Sequence, residues 1–535
     1  MFKFLKENVS IQKEKVKMVA FLMLSIFSMG IDVLITYLNG NFIDLIVIKD
    51  DVSQLLKYSG ILICGYVMSI ILNYGYQVLS SILREELSFN LSSKLIKHLH
   101  HVPLLEVKKY EASYLTQRVY SDSSDIINFV LDNVVMVLVN VVIGASLLIY
   151  VATTNIKIFI VFICFFPIYV LIYLYSGNKL ARKTKKVRES QNVFYQRMYE
   201  QINLVENIKT EANFSEHSDY LKETYNGYIK HFSKYIKMNT GVKSMENLLS
   251  YAFYAILLIL GVQEIVSGNL TIGGFTIINA YFNKMISIIT YYLEVGKGLK
   301  QIDVSLERMR ELFDIEVEHN GDMILDQISE IKVKDLSYSY PDSSEKIFKN
   351  ANYTFEKGNI YIIRGTNGKG KSTLSKIIMG IINVPQNVYY NGYPVDQLNM
   401  YDLRKNLISV LRQKIQFPYE TIGKLLGQGN IKKADNEENK KKIDALFFGE
   451  QFNLREHWNS YPDGLSGGEL QKAYLYKVLH KGGDVLLLDE PTSALDEQST
   501  HVFFELLQEM KRNKIIIVIT HNPEFEKIAD RVLYL

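Results

Sequence analysis

The sequence predicts two parts of different fold class, an α-helical membrane domain followed by a soluble α/β domain. The half before about Met309 carries apolar runs of roughly twenty residues, the length that a helix needs to cross a bilayer. The part after about Ile331 mixes apolar and charged residues, as soluble domains do. At 535 residues the chain is also too long for a single compact core.

The charge balance argues against a nucleic-acid partner. The formal net charge is only +3 over the whole chain. The lysines are scattered or lie beside apolar runs, and they form no basic stripe with interleaved aromatic residues. We therefore expect a membrane protein whose partners include membrane lipids and no nucleic acid.

Six apolar runs qualify as transmembrane helices. A helix rises about 1.5 Å per residue, so each run is long enough to cross a hydrocarbon layer of roughly 30 Å. Each must be helical, because a backbone in lipid has to satisfy its own hydrogen bonds. The first run is longer than the apolar segment of a cleaved export leader, so we expect it to remain in the membrane. The six runs cover about residues 16–38, 58–79, 133–153, 157–176, 247–267 and 273–293.

The positions of lysine and arginine orient these helices. Both long stretches between spans, about 80–132 and 177–246, are rich in basic residues, whereas the outward loops 40–56 and 266–273 carry one and none. Basic residues are retained on the cytoplasmic side, so both termini are predicted to be cytoplasmic.

The two basic stretches are too long for simple loops, and their apolar spacing predicts helical extensions into the cytoplasm. Their far turns, near 111–115 and 207–214, are the expected contacts for the second domain. The acidic, polar segment that follows the last span is predicted to be a linker. The predicted domains are therefore 1–312 for the membrane part, 313–330 for the linker and 331–535 for the soluble part.

A glycine-rich loop in the soluble part has the pattern of a phosphate-binding site. The apolar strand 360–363 runs into GTNGKGKS at 365–372, and a helix follows. Glycines in such a loop let backbone N–H groups turn toward an anion, and the helix N-terminus adds its positive end. Lys371 is predicted to reach the β and γ phosphates, and Ser372 to bind Mg²⁺. The predicted phosphate-binding residues are Gly365, Thr366, Asn367, Gly368, Lys369, Gly370, Lys371, Ser372 and Thr373.

Two further apolar strands end in catalytic residue types. The strand 485–488 is followed by Asp489, a predicted metal ligand, and by Glu490, a predicted general base for the attacking water. The alternative interpretation is that this acidic pair has no catalytic role and only ends the strand before a proline turn. The strand 515–519 delivers Thr520 and His521 to the same sheet edge, where a γ-phosphate sensor belongs. A lone histidine is more often a bystander, but its place after a strand favours the functional role.

These motifs, with LSGGE at 465–469 between the loop and the acidic pair, resemble the ATP-binding cassette (ABC) superfamily. The whole chain resembles a half-transporter of the exporter branch. The resemblance implies an α-helical membrane domain with six transmembrane helices and an α/β P-loop ATPase domain, with ATP and Mg²⁺ as cofactors. It also implies that Ser466, Gly467 and Gly468 bind the γ-phosphate of ATP on the opposite cassette, so one chain cannot complete a site.

The same resemblance assigns three more residues. Tyr340 would stack on adenine, with Tyr338 as a near neighbour, Gln413 would contact Mg²⁺, and Asp496 would cross the dimer interface. Two departures from the family pattern stand out. The segment WNSYPDG replaces the usual coupling segment before the signature, and Arg364 occupies a strand position that is normally apolar, where a guanidinium needs a partner.

The sequence therefore predicts a homodimeric ABC exporter in a bacterial plasma membrane that works by alternating access and ATP hydrolysis. Its layout favours a small peptide as the cargo. The alternatives are a multidrug or lipid exporter, a heterodimer, and an ATPase that gates a channel or senses a ligand without pumping. Polar residues within the spans are either cavity groups or interhelical hydrogen-bonding groups. These residues are Asp32, Asn73, Asn140 and Asn279.

Overall fold

The computed structural model describes residues 2–9, 14–48, 52–341, 343, 345–366, 368–413, 420–427, 441, 443, 444, 447, 454 and 456–535. Contacts within the chain divide it into two units. The first comprises Met1–Lys97 and Ala112–Asp314, and the second comprises His98–Glu111 and Ile315–Leu535. The second unit thus contains a short stretch from the N-terminal half of the sequence in addition to the soluble domain.

Long helices build the first unit. A π-helical turn, Arg118–Asp122, leads into one of them. The helices in chain order, including the short α4 of the second unit, are α1 Phe2–Asn8, α2 Lys15–Ile48, α3 Val52–Leu99, α4 Leu104–Val107, α5 Ala112–Gln117, α6 Ser123–Thr154, α7 Ile156–Asn203, α8 Val205–Glu211, α9 Phe214–Val266 and α10 Ile272–Phe313.

Six helical segments among the described residues are long and apolar enough to cross a membrane, which confirms the predicted number. They are Lys15–Ile48, Val52–Leu99, Tyr114–Thr154, Ile156–Asn203, Phe214–Val266 and Ile272–Gly296. The helices continue well beyond the apolar runs, as predicted for helical extensions. α9 alone has 53 residues.

The predicted outward loop 40–56 is wrong in extent, because α2 continues to Ile48 and α3 already begins at Val52. A hydrogen-bonded anchor explains the longer helix. The Asp44 carboxylate accepts hydrogen bonds from the Thr271 hydroxyl at 2.7 Å and from the Gly273 N–H at 2.6 Å, at the start of α10. This contact satisfies an otherwise free N–H group of α10 and fixes the end of α2.

Two of the polar residues within the spans form hydrogen bonds between helices. Asp32 on α2 accepts a hydrogen bond from the Ser69 hydroxyl of α3 at 2.8 Å. Asn73 on α3 accepts one from the Ser28 hydroxyl of α2 at 2.6 Å. The interhelical interpretation therefore accounts for both residues.

The described residues of the second unit form two sheets. The antiparallel sheet has the order β2-β1-β4-β5, and the parallel sheet has the order β6-β7-β8-β3-β9. The strands are β1 Glu330–Tyr338, β2 Phe348–Glu356, β3 Ile360–Arg364, β4 Val388–Tyr390, β5 Tyr393–Pro394, β6 Ile408–Leu411, β7 Val485–Asp489, β8 Ile515–Ile519 and β9 Arg531–Tyr534. The helices are α11 Lys371–Ile378, α12 Met400–Asn406, α13 Ile422–Gly427, α14 Gly467–Lys481 and α15 Glu497–Met510, with 3₁₀ turns at Val395–Gln397, Pro462–Gly464, Lys511–Asn513 and Pro523–Lys527.

The inner strands of the parallel sheet, β7, β8 and β3, are buried on both faces, which explains their continuous apolar sequences. In β3, Tyr361 and Ile363 pack into one core while Ile360 and Ile362 pack into the other. All five residues of β8 are buried. Burial on both faces fixes the register of these strands, and therefore fixes which residues follow each strand end.

The predicted linker is bound to the soluble domain along much of its length. α10 ends at Phe313, and the Gly321 N–H donates to the Leu398 carbonyl at 3.0 Å. The Met323 N–H donates to the Gln397 carbonyl at 3.1 Å. The side chain of Glu318 pairs with Arg404 at 3.3 Å.

The stretch His98–Glu111 also packs within the second unit. The Glu318 N–H donates to the His101 carbonyl at 2.6 Å, and the His98 ring lies 3.1 Å from the Ile315 carbonyl. The region predicted as a contact near 111–115 is divided between the units, because Glu111 groups with the second unit and residues from Ala112 onward group with the first. The contact itself stays a prediction. The other predicted contact, near 207–214, falls on α8, which has no buried residue.

Candidate active site

Four neighbouring parallel strands end at one edge of the sheet and bring the sequence motifs together. β3 leads to the glycine-rich loop, β6 to Gln413, β7 to Glu490 and β8 to His521. Ligands of open α/β sheets bind at this carboxyl edge. A cavity of about 480 Å³ opens there, lined by Tyr340, Ile347, Thr366, Gly368, Lys369, Gly370, Lys371, Ser372, Thr373, Gln413, Asp489, Glu490, Ile519 and His521.

Backbone geometry explains the glycines of the loop. Gly368 and Gly370 have φ values of +88° and +92°, which side chains rarely adopt. A Cβ at Gly370 would also collide with Ile347. The loop leads directly into the N-terminus of α11, so that backbone N–H groups and the positive helix end face the cavity. The predicted contact Asn367 lies outside the described residues.

The Lys371 ammonium lies at the centre of the site. It donates to the carbonyl of Gly365 at 2.5 Å and lies 3.3 Å from Nε2 of His521. Residues from the ends of β3 and β8 therefore meet at one point. A cation at this place suits the negatively charged oxygens of a phosphate chain.

Glu490 is held by hydrogen bonds from the end of β8. Its carboxylate accepts from the Thr520 hydroxyl at 3.1 Å and from the His521 N–H at 3.0 Å. Its backbone has φ +48°, which is costly for a residue with a side chain and is typical of functional positions. The carbonyl of Glu490 accepts from the Gln471 amide at 2.8 Å and from the Ser493 hydroxyl at 3.0 Å.

Three oxygen-bearing side chains around the same cavity suit Mg²⁺. Ser372, Gln413 and Asp489 line the cavity and offer a hydroxyl, an amide carbonyl and a carboxylate. Such ligands are those that this hard cation prefers. Burial raises the pKa of Asp489, the neighbouring Glu490 adds to the increase, and Lys371 opposes it.

Tyr340 lies at the cavity wall where the adenine ring is expected. Its hydroxyl is 3.2 Å from the Thr373 hydroxyl, and its ring packs edge-on against Tyr338 with centroids 5.4 Å apart. Tyr338 is not among the residues that line the cavity. Of these two neighbouring tyrosines, Tyr340 is therefore the one that lines the described cavity.

The signature residues lie at the start of α14, outside the residues that line the described cavity. Ser466 caps α14 in a capping box, in which the Glu469 N–H donates to the Ser466 hydroxyl at 3.3 Å and Glu469 accepts from the Ser466 N–H at 2.8 Å. The hydrogen bond from the Ser466 backbone lowers the pKa of Glu469. Neither Ser466 nor the two glycines after it, Gly467 and Gly468, line the described cavity.

Asp496 likewise lies outside the described cavity of its own chain. It caps α15 by accepting a hydrogen bond from the Ser499 N–H at 2.7 Å, and this bond lowers the pKa of Asp496. The capping role is local, and the role at a dimer interface stays a prediction.

Gln471 is a site residue that sequence reasoning missed. Its amide donates to the carbonyl of Glu490 at 2.8 Å, and its oxygen accepts from the Ser493 hydroxyl at 2.9 Å. It therefore links the signature helix to the strained residue after β7. Its position four residues after Gly467, on the same helix face as the signature, could have indicated that Gln471 belongs to the site.

Two parts of the chain match described families. Residues 18–289, half of the chain, match the family described as ABC transporter transmembrane region, and residues 348–493 match the family described as ABC transporter. A solved structure of a bacterial Atm1-family ABC exporter with ATP bound matches with a TM-score of 0.77 at 16% identity, over 98% of this chain and 93% of that chain. At this identity the likeness shows the fold.

Curated relatives come from bacteria. The lactococcin-A transport/processing ATP-binding protein LcnC of Lactococcus lactis subsp. lactis is 21% identical over 88% of this chain and 66% of its own length. The ATP-dependent lipid A-core flippase of Pasteurella multocida (strain Pm70) is 26% identical over 54% of this chain and 51% of its own length. The leukotoxin translocation ATP-binding protein LktB of Mannheimia glucosida is 24% identical over 69% of this chain and 53% of its own length.

The chain thus spans between half and two thirds of the length of these relatives. The six candidate spans fall within the first matched region or directly beside it, and the phosphate loop, the signature and Asp489–Glu490 fall within the second, whereas β8 and His521 follow it. The match of the second region implies a nucleotide-binding domain that hydrolyses ATP. The chain belongs to the ABC transporter family.

Proposed function

We propose that the protein is an ATP-driven exporter, a homodimer that moves a substrate out of the cytoplasm by alternating access. One observation carries the proposal. Lys371, Glu490 and His521 converge on one cavity in a chain that also has six candidate transmembrane helices. In this proposal the protein resides in a bacterial plasma membrane with both termini in the cytoplasm.

The proposed hydrolysis is a direct attack of water on the γ-phosphorus of ATP. As the new P–O bond forms, the Glu490 carboxylate accepts a proton from the water, and the bond to the β-phosphate oxygen breaks to release ADP and phosphate. Lys371 neutralises the phosphate oxygens. His521, 3.3 Å from Lys371 in the structure, contacts the γ-phosphate and reports its presence.

Mg²⁺ fits the same cavity. Ser372, Gln413 and Asp489 would hold the ion, since they supply three kinds of oxygen ligand around one opening. When bound, the ion supplies neutralisation of the negative charge on the phosphate chain. The half-buried carboxylate of Asp489, whose pKa is raised by burial, gains most from a neighbouring cation.

Two features support dimerisation. The signature tip, Ser466–Gly468, does not line the cavity of its own chain. α8, at the far turn of the second cytoplasmic extension, has no buried residue, and its Val205 side chain is 51% exposed. We propose that a second copy completes the nucleotide site with its signature tip and receives α8. Both halves of the site occur in this chain, which favours a homodimer over a heterodimer.

A small peptide is the proposed cargo. Two relatives support this cargo in addition to the layout of the chain: one is a lactococcin-A transport/processing protein, and the other is a leukotoxin translocation protein. A lipid exporter is the second candidate, because another relative is a lipid A-core flippase.

Transport into inverted membrane vesicles tests the proposal. We expect ATP-dependent accumulation of members of a labelled library of short peptides, and no accumulation with vesicles that carry Glu490→Gln. Accumulation of a labelled lipid and of no peptide would support the flippase alternative. ATP-dependent equilibration of solute without a concentration gradient would show a gated channel and contradict a pump.

A further inference from the structure

Arg364 places a guanidinium at the end of an otherwise apolar strand. The four preceding residues of β3, Ile360–Ile363, are fully buried, and the Arg364 side chain is only 21% exposed. A half-buried cation at such a position is costly unless other groups compensate it. The residue lies directly before Gly365, the first residue of the phosphate loop.

Both partners of Arg364 lie on the segment that follows β8. Its Nη1 forms an ion pair with the carboxylate of Glu526, and its Nη2 donates to the carbonyl of Asn522 at 3.0 Å. The Nε of Arg364 is buried without a hydrogen-bond partner among the described residues. The hydrogen-bonding capacity of the guanidinium is therefore incompletely used. Stabilisation of the fold alone is for this reason a poor explanation of Arg364.

Asn522 directly follows His521, and its other polar groups are also engaged. Its N–H donates to the Thr520 hydroxyl at 3.1 Å. Its side-chain oxygen accepts from the Glu524 N–H at 2.9 Å and caps the 3₁₀ turn Pro523–Lys527. The contact from Arg364 thus engages the Asn522 carbonyl, in the peptide bond to Pro523, one residue beyond His521.

His521 itself is exposed, so packing does not fix its ring. Its ring nitrogen lies 3.3 Å from Lys371, and its N–H donates to Glu490 at 3.0 Å. The orientation of this side chain therefore depends on the backbone of 520–522. The guanidinium of Arg364 connects this backbone to β3, the strand that leads into the phosphate loop.

We propose that Arg364 is a positioning residue for His521: its guanidinium, held by the Asn522 carbonyl and Glu526, fixes the segment that presents His521 to the γ-phosphate. This inference rests on the role of His521 in the proposed function. It explains why a cation replaces the apolar residue expected at this position. Removal of the cation loosens the sensor segment and leaves the phosphate loop in place.

The test compares ATP hydrolysis by the full-length protein in lipid nanodiscs for Arg364→Ile, His521→Ala and the double variant. Because loss of positioning typically lowers rates by about tenfold or more, we expect Arg364→Ile to lower kcat roughly tenfold and to change the KM for ATP less than about twofold. In the His521→Ala background the same substitution should have no further effect, since it acts through the missing side chain. Arg531→Ile, an exposed arginine on the neighbouring strand β9, is the matched control.

An unchanged kcat in Arg364→Ile, or a loss that persists in full without His521, would overturn the inference. If Arg364→Ile does not fold, Glu526→Ala removes the ion pair at a side chain that is 43% exposed, and the same cycle with His521→Ala applies. A wild-type protein that does not hydrolyse ATP would refute the proposed function. A wild-type protein that does, with an impaired His521→Ala and a normal Arg364→Ile, would refute this inference alone.

Discussion

At the scale of single residues, the catalytic chemistry depends on strain and on hydrogen bonds from distant parts of the chain. Glu490 adopts φ +48°, and three groups from the end of β8 and the start of α14 donate hydrogen bonds to it: the Thr520 hydroxyl, the His521 N–H and the Gln471 amide. Strained residues at strand ends are typical of sites where a side chain must point at a ligand. These observations support the proposal that Glu490 is the general base for hydrolysis.

Glu490→Gln should abolish turnover while ATP binding remains. The amide cannot accept the proton of the attacking water, and loss of general-base catalysis typically costs about 10² to 10⁴ in rate. Phosphate release and retention of labelled ATP by the purified protein measure the two effects. Glu497→Gln, at an exposed carboxylate in the first turn of α15, is the control. Hydrolysis at the wild-type rate in Glu490→Gln would refute the assigned role.

Lys371→Ala should weaken ATP binding and abolish hydrolysis, because the loop loses the cation that faces the phosphate oxygens. Nucleotide affinity from equilibrium binding and the rate of phosphate release are the measurements. Lys376→Ala, on the same helix α11 but outside the cavity, should retain both. Equal behaviour of the two variants would contradict the placement of Lys371 at the site.

The residues that follow strand ends could be predicted from the sequence, because a parallel sheet brings all its carboxyl ends to one edge. The partners of Arg364 and of Gln471 could not. Arg364 and Asn522 are 158 positions apart, and no local pattern pairs them. Such contacts depend on the order β8-β3 in the sheet, which the sequence pattern alone does not specify.

At the scale of elements, buried strands and helix ends fix the position of each motif. The last turn of α14 is an example. The ammonium of Lys481 donates to the carbonyls of Arg404 at 2.7 Å and of Ile408 at 2.6 Å, and thereby connects α14 to α12 and β6. Burial, with a smaller contribution from Lys477, lowers the pKa of Lys481 to about 8.

The lowered pKa of Lys481 predicts a pH-dependent stability. In the unfolded chain a lysine has a pKa of about 10.4, so between about pH 8 and pH 10 the unfolded state binds more protons and stability rises with pH. We expect the difference in apparent Tm between the wild type and Lys481→Met to shift in favour of the wild type as the pH rises through this range. Thermal unfolding in detergent at several pH values measures the difference, and Lys527→Met, at an exposed position, is the matched control. A difference that is constant with pH would contradict the prediction.

At this scale, sequence patterns predict which segments span the membrane but not where each helix ends. Apolar runs predicted the six spans, because the bilayer sets their length. They did not predict that α2 continues through the polar residues Asn39 and Asp44. The reason is tertiary, since Asp44 is stabilised there by groups at the start of α10.

At the scale of the whole molecule, the chain combines a membrane domain with a nucleotide-binding cassette. The division into units does not follow the sequence order, because His98–Glu111 packs with the soluble domain. Sequence composition could not reveal this, since the stretch is continuous with the long helix α3. The described nucleotide cavity contains the phosphate loop, Glu490 and His521, but not the signature tip.

The central claim is that each active site combines the phosphate loop of one subunit with the signature tip of another. Complementation between two inactive subunits tests it most directly. Lys371→Ala and Gly468→Asp chains carry different affinity tags, are expressed together, and the mixed dimer is purified through both tags. One of its two sites then combines an intact phosphate loop with an intact signature.

We predict that the mixed dimer hydrolyses ATP while each variant alone does not. A mixed dimer as inactive as its two parents would contradict the shared site, as would a Gly468→Asp homodimer with wild-type hydrolysis.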